Sequence, residues 1–136
     1  MDKKALILVV DDNPECRGVL VWTLERHGFR TISAECGLDA VRLAIEFQPS
    51  LVLMDICMPG MNGYRATQAI HAHTRGKNIP VAAVSADCGD DGHARSVFKG
   101  VFIACLGKPW EEKALLQMVT KVLSRKFKYA ESTRAA

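Results

Sequence analysis

Four short apolar runs in this chain each end in a charged or hydroxyl side chain, and no other feature constrains the fold as strongly. Ala5-Leu-Ile-Leu-Val-Val10 is followed by Asp11 and Asp12, and Leu51-Val-Leu-Met54 by Asp55. Val81-Ala-Ala-Val84 is followed by Ser85, and the run from Phe102 to Leu106 leads into Lys108-Pro109. Uninterrupted apolar runs of this length read as strands buried on both faces. Arg30 to Glu35 reads as a further short strand.

Helical patterns separate these strands. Asn13-Pro14 is a good cap and first-turn pair, and the helix it opens stops near Gly28. Gly37 to Phe47 is amphipathic, with Leu38, Val41, Leu43, Ala44 and Ile45 apolar, and Pro49 closes it. Pro59 to Gly63 is a loop, and Tyr64 to His73 continues as a helix. Asp90-Asp91 caps a short helix to about Lys99, and a last helix runs from about Trp110 to Phe127. Such alternation implies a doubly wound α/β fold, a parallel sheet covered on both faces by right-handed crossovers.

A length of 136 residues suits one domain with one core. The expected division is a domain over 1–127 and a short polar tail over 128–136, frayed and too small for an output module. Hydrophobic residues make up 49% and charged residues 24%, which excludes a disordered or fibrous chain. No apolar run reaches bilayer length and no stretch resembles a signal peptide, so no membrane is expected. A net charge of +3, with no basic stripe beside aromatics, gives no case for nucleic acid. The five cysteines (Cys16, Cys36, Cys57, Cys88 and Cys105) form no CxxC pair and read as reduced cytosolic thiols. Cys57, Cys88 and Cys105 fall near the active rim, which invites redox control by these thiols, although the neighbouring acids raise a thiol's pKa and oppose reactivity.

In open parallel sheets, ligands bind beyond the carboxyl ends of the strands. Asp11, Asp12, Asp55, Ser85 and Lys108 are the polar groups delivered to that rim. Three carboxylates brought together repel, so they need a cation, and hard oxygen ligands suit Mg²⁺. Lys108 adds a point positive charge and Ser85 a hydroxyl donor, both suited to phosphate oxygens. A metal, an anionic ligand and one carboxylate left as nucleophile make phosphoryl transfer to an aspartate the natural chemistry.

These residues resemble the receiver domains of two-component response regulators, as in the chemotaxis regulators. The likeness covers roughly Lys4 to Phe127 and rests on Val9-Val-Asp-Asp-Asn-Pro14, Met54-Asp-Ile-Cys-Met-Pro-Gly-Met-Asn-Gly63, Val84-Ser-Ala86 and Leu106-Gly-Lys-Pro-Trp110. The resemblance implies a flavodoxin-like sheet with strand order 2-1-3-4-5. It implies that Asp55 accepts the phosphoryl group from a phosphohistidine of a sensor histidine kinase or a histidine phosphotransfer protein. Asp12 and Asp55 would ligate Mg²⁺ (or Mn²⁺) with the backbone carbonyl of Cys57, while Asp11 would hold a metal-bound water. Lys108 would pair first with Asp55 and then with the phosphoryl group. Ser85 would move onto a phosphoryl oxygen to start the switch. The Lys-Pro peptide is commonly cis in that family, which only an X–Pro bond makes inexpensive.

Some positions depart from the family pattern. Most receivers carry Tyr or Phe three residues before the lysine, where this chain has Cys105. The preceding Val101-Phe-Ile-Ala segment is unusually apolar, so it is either more buried or an exposed patch for a dimer or partner. Cys57 and Asp87 occupy the two positions that flank the phosphoryl group in related receivers and tune attack by water. In the first helix, Val19-Leu-Val-Trp22 is apolar all round, so at least one member cannot face the core. His27, His71, His73 and His93 show no ligand spacing near the rim and read as structural or surface residues.

The expected function is therefore a free-standing receiver, a signalling domain and not an enzyme beyond its own phosphorylation and dephosphorylation. The first helix and the loop after strand five would dock the phosphodonor. The face formed by the fourth helix, fifth strand and last helix would dock a downstream protein. Two alternatives stay open: a receiver-like scaffold that phosphorylation does not switch, and an Mg²⁺-dependent phosphatase with an Asp nucleophile. The phosphatases of that kind need a second acid two residues after the nucleophile, where this chain has Cys57, and usually a cap insertion for which it has no room.

Overall fold

A computed structural model describes residues 5–86 and 100–125. The expected helix over 90–99, Asp87, Cys88, His93 and the tail lie outside these residues. Five strands form one parallel sheet: β1 (Leu6–Val10), β2 (Arg30–Ala34), β3 (Leu51–Met54), β4 (Val81–Ser85) and β5 (Ala104–Gly107). Their order is β2-β1-β3-β4-β5, as the resemblance implied. Among the described residues the helices are α1 (Pro14–Arg26), α2 (Gly37–Phe47), α3 (Gly63–Ala72) and α4 (Glu112–Arg125).

The apolar runs form strands because both faces of the sheet are covered. Ile7, Val9, Leu51, Leu53 and Val84 pack with Leu20 and Leu24 of α1 and Leu115, Val119 and Val122 of α4. Their alternates Leu8, Val10, Val52, Met54 and Val81 pack with Ala40 and Ala44 of α2 and Ala66 and Ile70 of α3. Successive strand residues point to opposite faces, so a run with two buried faces has no polar positions.

The helix ends follow local chemistry. Asn13 Oδ1 accepts the Cys16 amide at 3.0 Å and Pro14 opens α1, while Gly28 (φ 91°) takes the chain away from it. Asn62 Oδ1 accepts the Arg65 amide at 2.9 Å and caps α3. Helix α4 starts at Glu112, two residues later than expected, because the first carbonyl in its ladder is that of Glu111, accepting from Leu115 N–H. Strand β5 starts at Ala104, two residues later than expected, opposite Ala82. Phe102 and Ile103 just before it pack on opposite faces of the core, so this apolar segment is half-buried.

Candidate functional site

The expected rim residues continue the sheet's hydrogen bonding by one step. Val10 pairs with Met54 in register, and beyond that pair Asp55 N–H donates to the Val10 carbonyl at 3.0 Å. Asp11 N–H donates to the Ala34 carbonyl at 3.2 Å, and Lys108 N–H to the Ser85 carbonyl at 3.1 Å. The sheet itself therefore holds the amide ends of Asp11, Asp55 and Lys108. The Lys108–Pro109 peptide is cis.

Carboxylate oxygens of Asp11, Asp12 and Asp55 lie within 4.8 Å of one another. Asp11 (1% exposed) and Asp55 (6%) are buried, whereas Asp12 is exposed. Lys108 Nζ donates to Asp11 Oδ2 at 2.7 Å and stands 3.6 Å from Asp55 Oδ2. Its hydrogen bond is thus with Asp11, where the resemblance implied Asp55, and Asp55 is the looser ion pair. The other Asp11 oxygen accepts the Asn13 amide at 2.9 Å, and Asp55 Oδ1 accepts the Cys57 amide at 3.3 Å.

Burial is the main influence on Asp55 and pushes its carboxyl pKa up to about 6. Lys108 pulls it down, while Asp11 and Asp12 add to the rise. Burial alone would lower the Lys108 ammonium, but the bond to Asp11 and the charges of Asp55 and Asp11 outweigh it and hold its pKa above the ordinary lysine value. The site thus holds more negative charge than one lysine neutralises. All-oxygen donors with excess negative charge fit a hard divalent cation.

Ser85 is buried at the end of β4, beside this group in the sheet order. Cys57 is exposed in the β3–α3 loop. Cys105 pairs with Ala83 in the β4–β5 register. Cys105 is also disulfide-bonded, which corrects the reading of all five cysteines as reduced thiols; sequence spacing cannot show which sulfurs the fold brings together. Of the histidines, His71 bonds the Ile79 carbonyl, His73 Nδ1 accepts the Arg75 amide, and His27 bonds Glu112, all away from the acid group.

The sequence reading missed Arg17, whose Nη1 donates to the Asp11 carbonyl at 2.7 Å and braces that peptide. Its place one turn into α1 was the available signal. It also missed a cavity of about 490 Å³ between α1 and the β5–α4 loop, lined by Glu15, Cys16, Val19, Lys108, Pro109 and Trp110.

The model of the response regulator receiver domain matches residues 7–120. The chain belongs to the response regulator receiver family. PilH of Pseudomonas aeruginosa is 38% identical over 120 residues, spanning 88% of this chain and 98% of PilH. The sensor histidine kinase RcsC of Escherichia coli K12 is 34% identical over 127 residues, spanning 93% of this receiver but only 13% of RcsC. Among solved structures, the receiver domain of the sensor histidine kinase PA1611 from Pseudomonas aeruginosa has a TM-score of 0.81 at 28% identity. The match covers 89% of this chain and 98% of that one, and a magnesium ion is coordinated in that domain's active-site cleft. The chemotaxis response regulator CheY4 of Vibrio cholerae also gives 0.81, at 25% identity, over 88% of this chain and 99% of that one. Among the described residues of this receiver, no helix is long and apolar enough to cross a membrane.

Proposed function

We propose that this receiver takes a phosphoryl group onto Asp55 from a phosphohistidine of a sensor histidine kinase or a histidine phosphotransfer protein. The observation that carries the reading is the placement of Lys108 between two buried carboxylates, within a group of three whose oxygens lie within 4.8 Å. An Asp55 oxygen forms a bond to phosphorus as the N–P bond to the donor imidazole breaks, leaving an acyl phosphate and the histidine. Asp11, Asp12, Asp55 and the Cys57 carbonyl are the groups that would hold Mg²⁺ or Mn²⁺. A bound divalent ion supplies positive charge against the phosphoryl oxygens. Lys108 is the resident cation: as the phosphoryl group arrives, its ammonium is in reach of the new oxygens while still held by Asp11. Ser85 supplies a hydroxyl to the same group, and Cys57 and Asp87 tune attack by water on the product.

The donor approaches over the cavity beside Lys108, where Val19 and Trp110 offer apolar contact. The state is read by protein contact through the face that includes β5 and α4, with a downstream protein or a second copy as the reader and Cys105 in the place of the usual switch aromatic. The receiver spans 1–127 and works in the cytoplasm, where such donors are made. It catalyses only its own phosphorylation and dephosphorylation.

The test is labelling by acetyl phosphate with and without Mg²⁺, read by intact mass. One adduct of about 80 Da that requires Mg²⁺ is the expected result. Absence of an adduct where Mg²⁺ binding is measured directly would favour a scaffold that phosphorylation does not switch.

A further inference from the structure

The described residues include a close approach that the acid group does not explain. Gly63 opens α3 and does not have a positive φ, so its backbone conformation suits any residue. What excludes a side chain there is space. A Cβ on Gly63 would lie 2.1 Å from the Asp55 carbonyl oxygen and 2.8 Å from both the Asp55 carbonyl carbon and the Ile56 Cα. These are backbone atoms of Asp55 and of the residue after it. They cannot swing aside as the end of a flexible side chain would.

Two hydrogen bonds hold this contact. Gly63 N–H donates to the Ile56 carbonyl at 2.8 Å. The Gly63 carbonyl accepts from Thr67 Oγ1 at 2.8 Å, and Thr67 is fully buried. A second glycine braces the other side of the loop: a Cβ on Gly37, at the start of α2, would lie 2.8 Å from the Met61 carbonyl oxygen. The loop after Asp55 is thus held between the first turns of two helices.

We infer that Gly63 and Thr67 are positioning residues that set the backbone height of Asp55, and with it the place of its carboxylate against Lys108 and the other acids. The inference rests on reading Asp55 as the nucleophile. Van der Waals contact with a carbonyl oxygen needs about 3 Å or more, so a methyl group at position 63 moves one backbone by roughly 1 Å, a displacement that can cost on the order of 10²-fold in rate. Thr67 acts one step further out, by fixing Gly63.

A purely structural role for Thr67 is distinguishable, because α1 carries the same bond away from the site. Thr23, also buried, donates through Oγ1 to the Val19 carbonyl at 2.8 Å. The experiment compares full-chain wild type, Gly63→Ala, Thr67→Val, Thr67→Ser and Thr23→Val. It reads the Mg²⁺ dissociation constant by calorimetry, the thermal midpoint in chelator, and the acetyl phosphate labelling rate.

Gly63→Ala is expected to label on the order of 10²-fold more slowly. Thr67→Val should bind Mg²⁺ and label roughly threefold to tenfold less well, the scale of one lost hydrogen bond. Thr67→Ser keeps the hydroxyl and should return both to about the wild-type values, and Thr23→Val should lower the midpoint as Thr67→Val does while leaving both untouched. If Thr67→Val matches Thr23→Val in every readout, the positioning role is overturned; the same holds if Gly63→Ala folds, binds Mg²⁺ and labels as wild type does. Should Gly63→Ala not fold, the valine pair decides. Should the wild type take no label, the reading of Asp55 fails while the Mg²⁺ constants still test the seat.

Discussion

Lys108 Nζ stands 2.7 Å from Asp11 Oδ2 and 3.6 Å from Asp55 Oδ2. One ammonium therefore serves two buried carboxylates, bonded to the first and in loose contact with the second. Replacing it with Met leaves Asp11 without its charged donor in a place water does not reach. Lys108→Met should lower stability at neutral pH by about 1–3 kcal/mol, the scale for a buried group losing such a partner, as read by urea unfolding in chelator. It should also slow labelling by acetyl phosphate.

The raised pKa of Asp55 gives a pH dependence of definite sign. The native state holds this proton up to about pH 6, whereas the unfolded chain releases it near 3.8. Asp55 therefore favours folding fully below about 3.8, and that contribution is lost as pH rises through 6. Asp55→Asn has no charge to bury. In chelator it should be more stable than wild type at pH 7, by on the order of 2–3 kcal/mol, with the gap shrinking toward pH 4. Urea unfolding of both proteins across that range measures it; a gap that stayed constant or widened toward acid would contradict the burial of this charge. Mg²⁺ at pH 7 should stabilise the wild type more than the variant.

Glu112 Oε2 bonds both Arg26, at 2.5 Å, and His27, at 2.6 Å, tying the end of α1 to the start of α4. The same Arg26 guanidinium lies 4.5 Å from the Trp22 ring centre. The bond to His27, then that to Arg26, holds the Glu112 carboxyl below its ordinary value of 4.5. Its contribution is present above 4.5 and lost as pH falls through the lower native value. Glu112→Gln should reduce the thermal midpoint slightly at pH 7, because exposed pairs contribute little, and the difference from wild type should vanish in acid.

The four consecutive apolar residues in the middle of α1, Val19 to Trp22, divide sharply. Leu20 is buried, Val21 is half-buried, and Val19 (53%) and Trp22 (62%) are exposed. Leu20→Ala should cost about 2–5 kcal/mol by chemical unfolding, whereas Val19→Ser should change stability by less than about 0.5 kcal/mol.

That division was legible only in part. A helix advances about 100° per residue, so the run Val19 to Trp22 had to place some member outward, but which one depends on where the sheet lies. The strands were the most legible elements, because burial on both faces leaves Leu51 to Met54 no polar position and makes the run itself the signal. The acid group followed from the same logic, since each apolar run stops where its strand leaves the core. The partner of Lys108 was not legible. The choice of Asp11 over Asp55 turns on about an ångström of side-chain reach, which spacing along the chain does not encode. Arg17 and the Gly63–Asp55 contact were hidden for a related reason, as both join residues that only the closed fold brings together. The disulfide at Cys105 was misread because the reading rested on compartment and motif spacing and not on where β5 lies.

The most direct test is where the phosphate goes. Wild type, Asp55→Asn, Asp12→Asn and Asp11→Asn would be treated with acetyl phosphate and Mg²⁺ and followed by intact mass. The wild type should gain a single adduct of about 80 Da, and Asp55→Asn should gain none. Asp12→Asn and Asp11→Asn should label more slowly and require more Mg²⁺, because each keeps the nucleophile and removes one negative charge from the acid group. An adduct of the same size and rate on Asp55→Asn would contradict Asp55 as the acceptor.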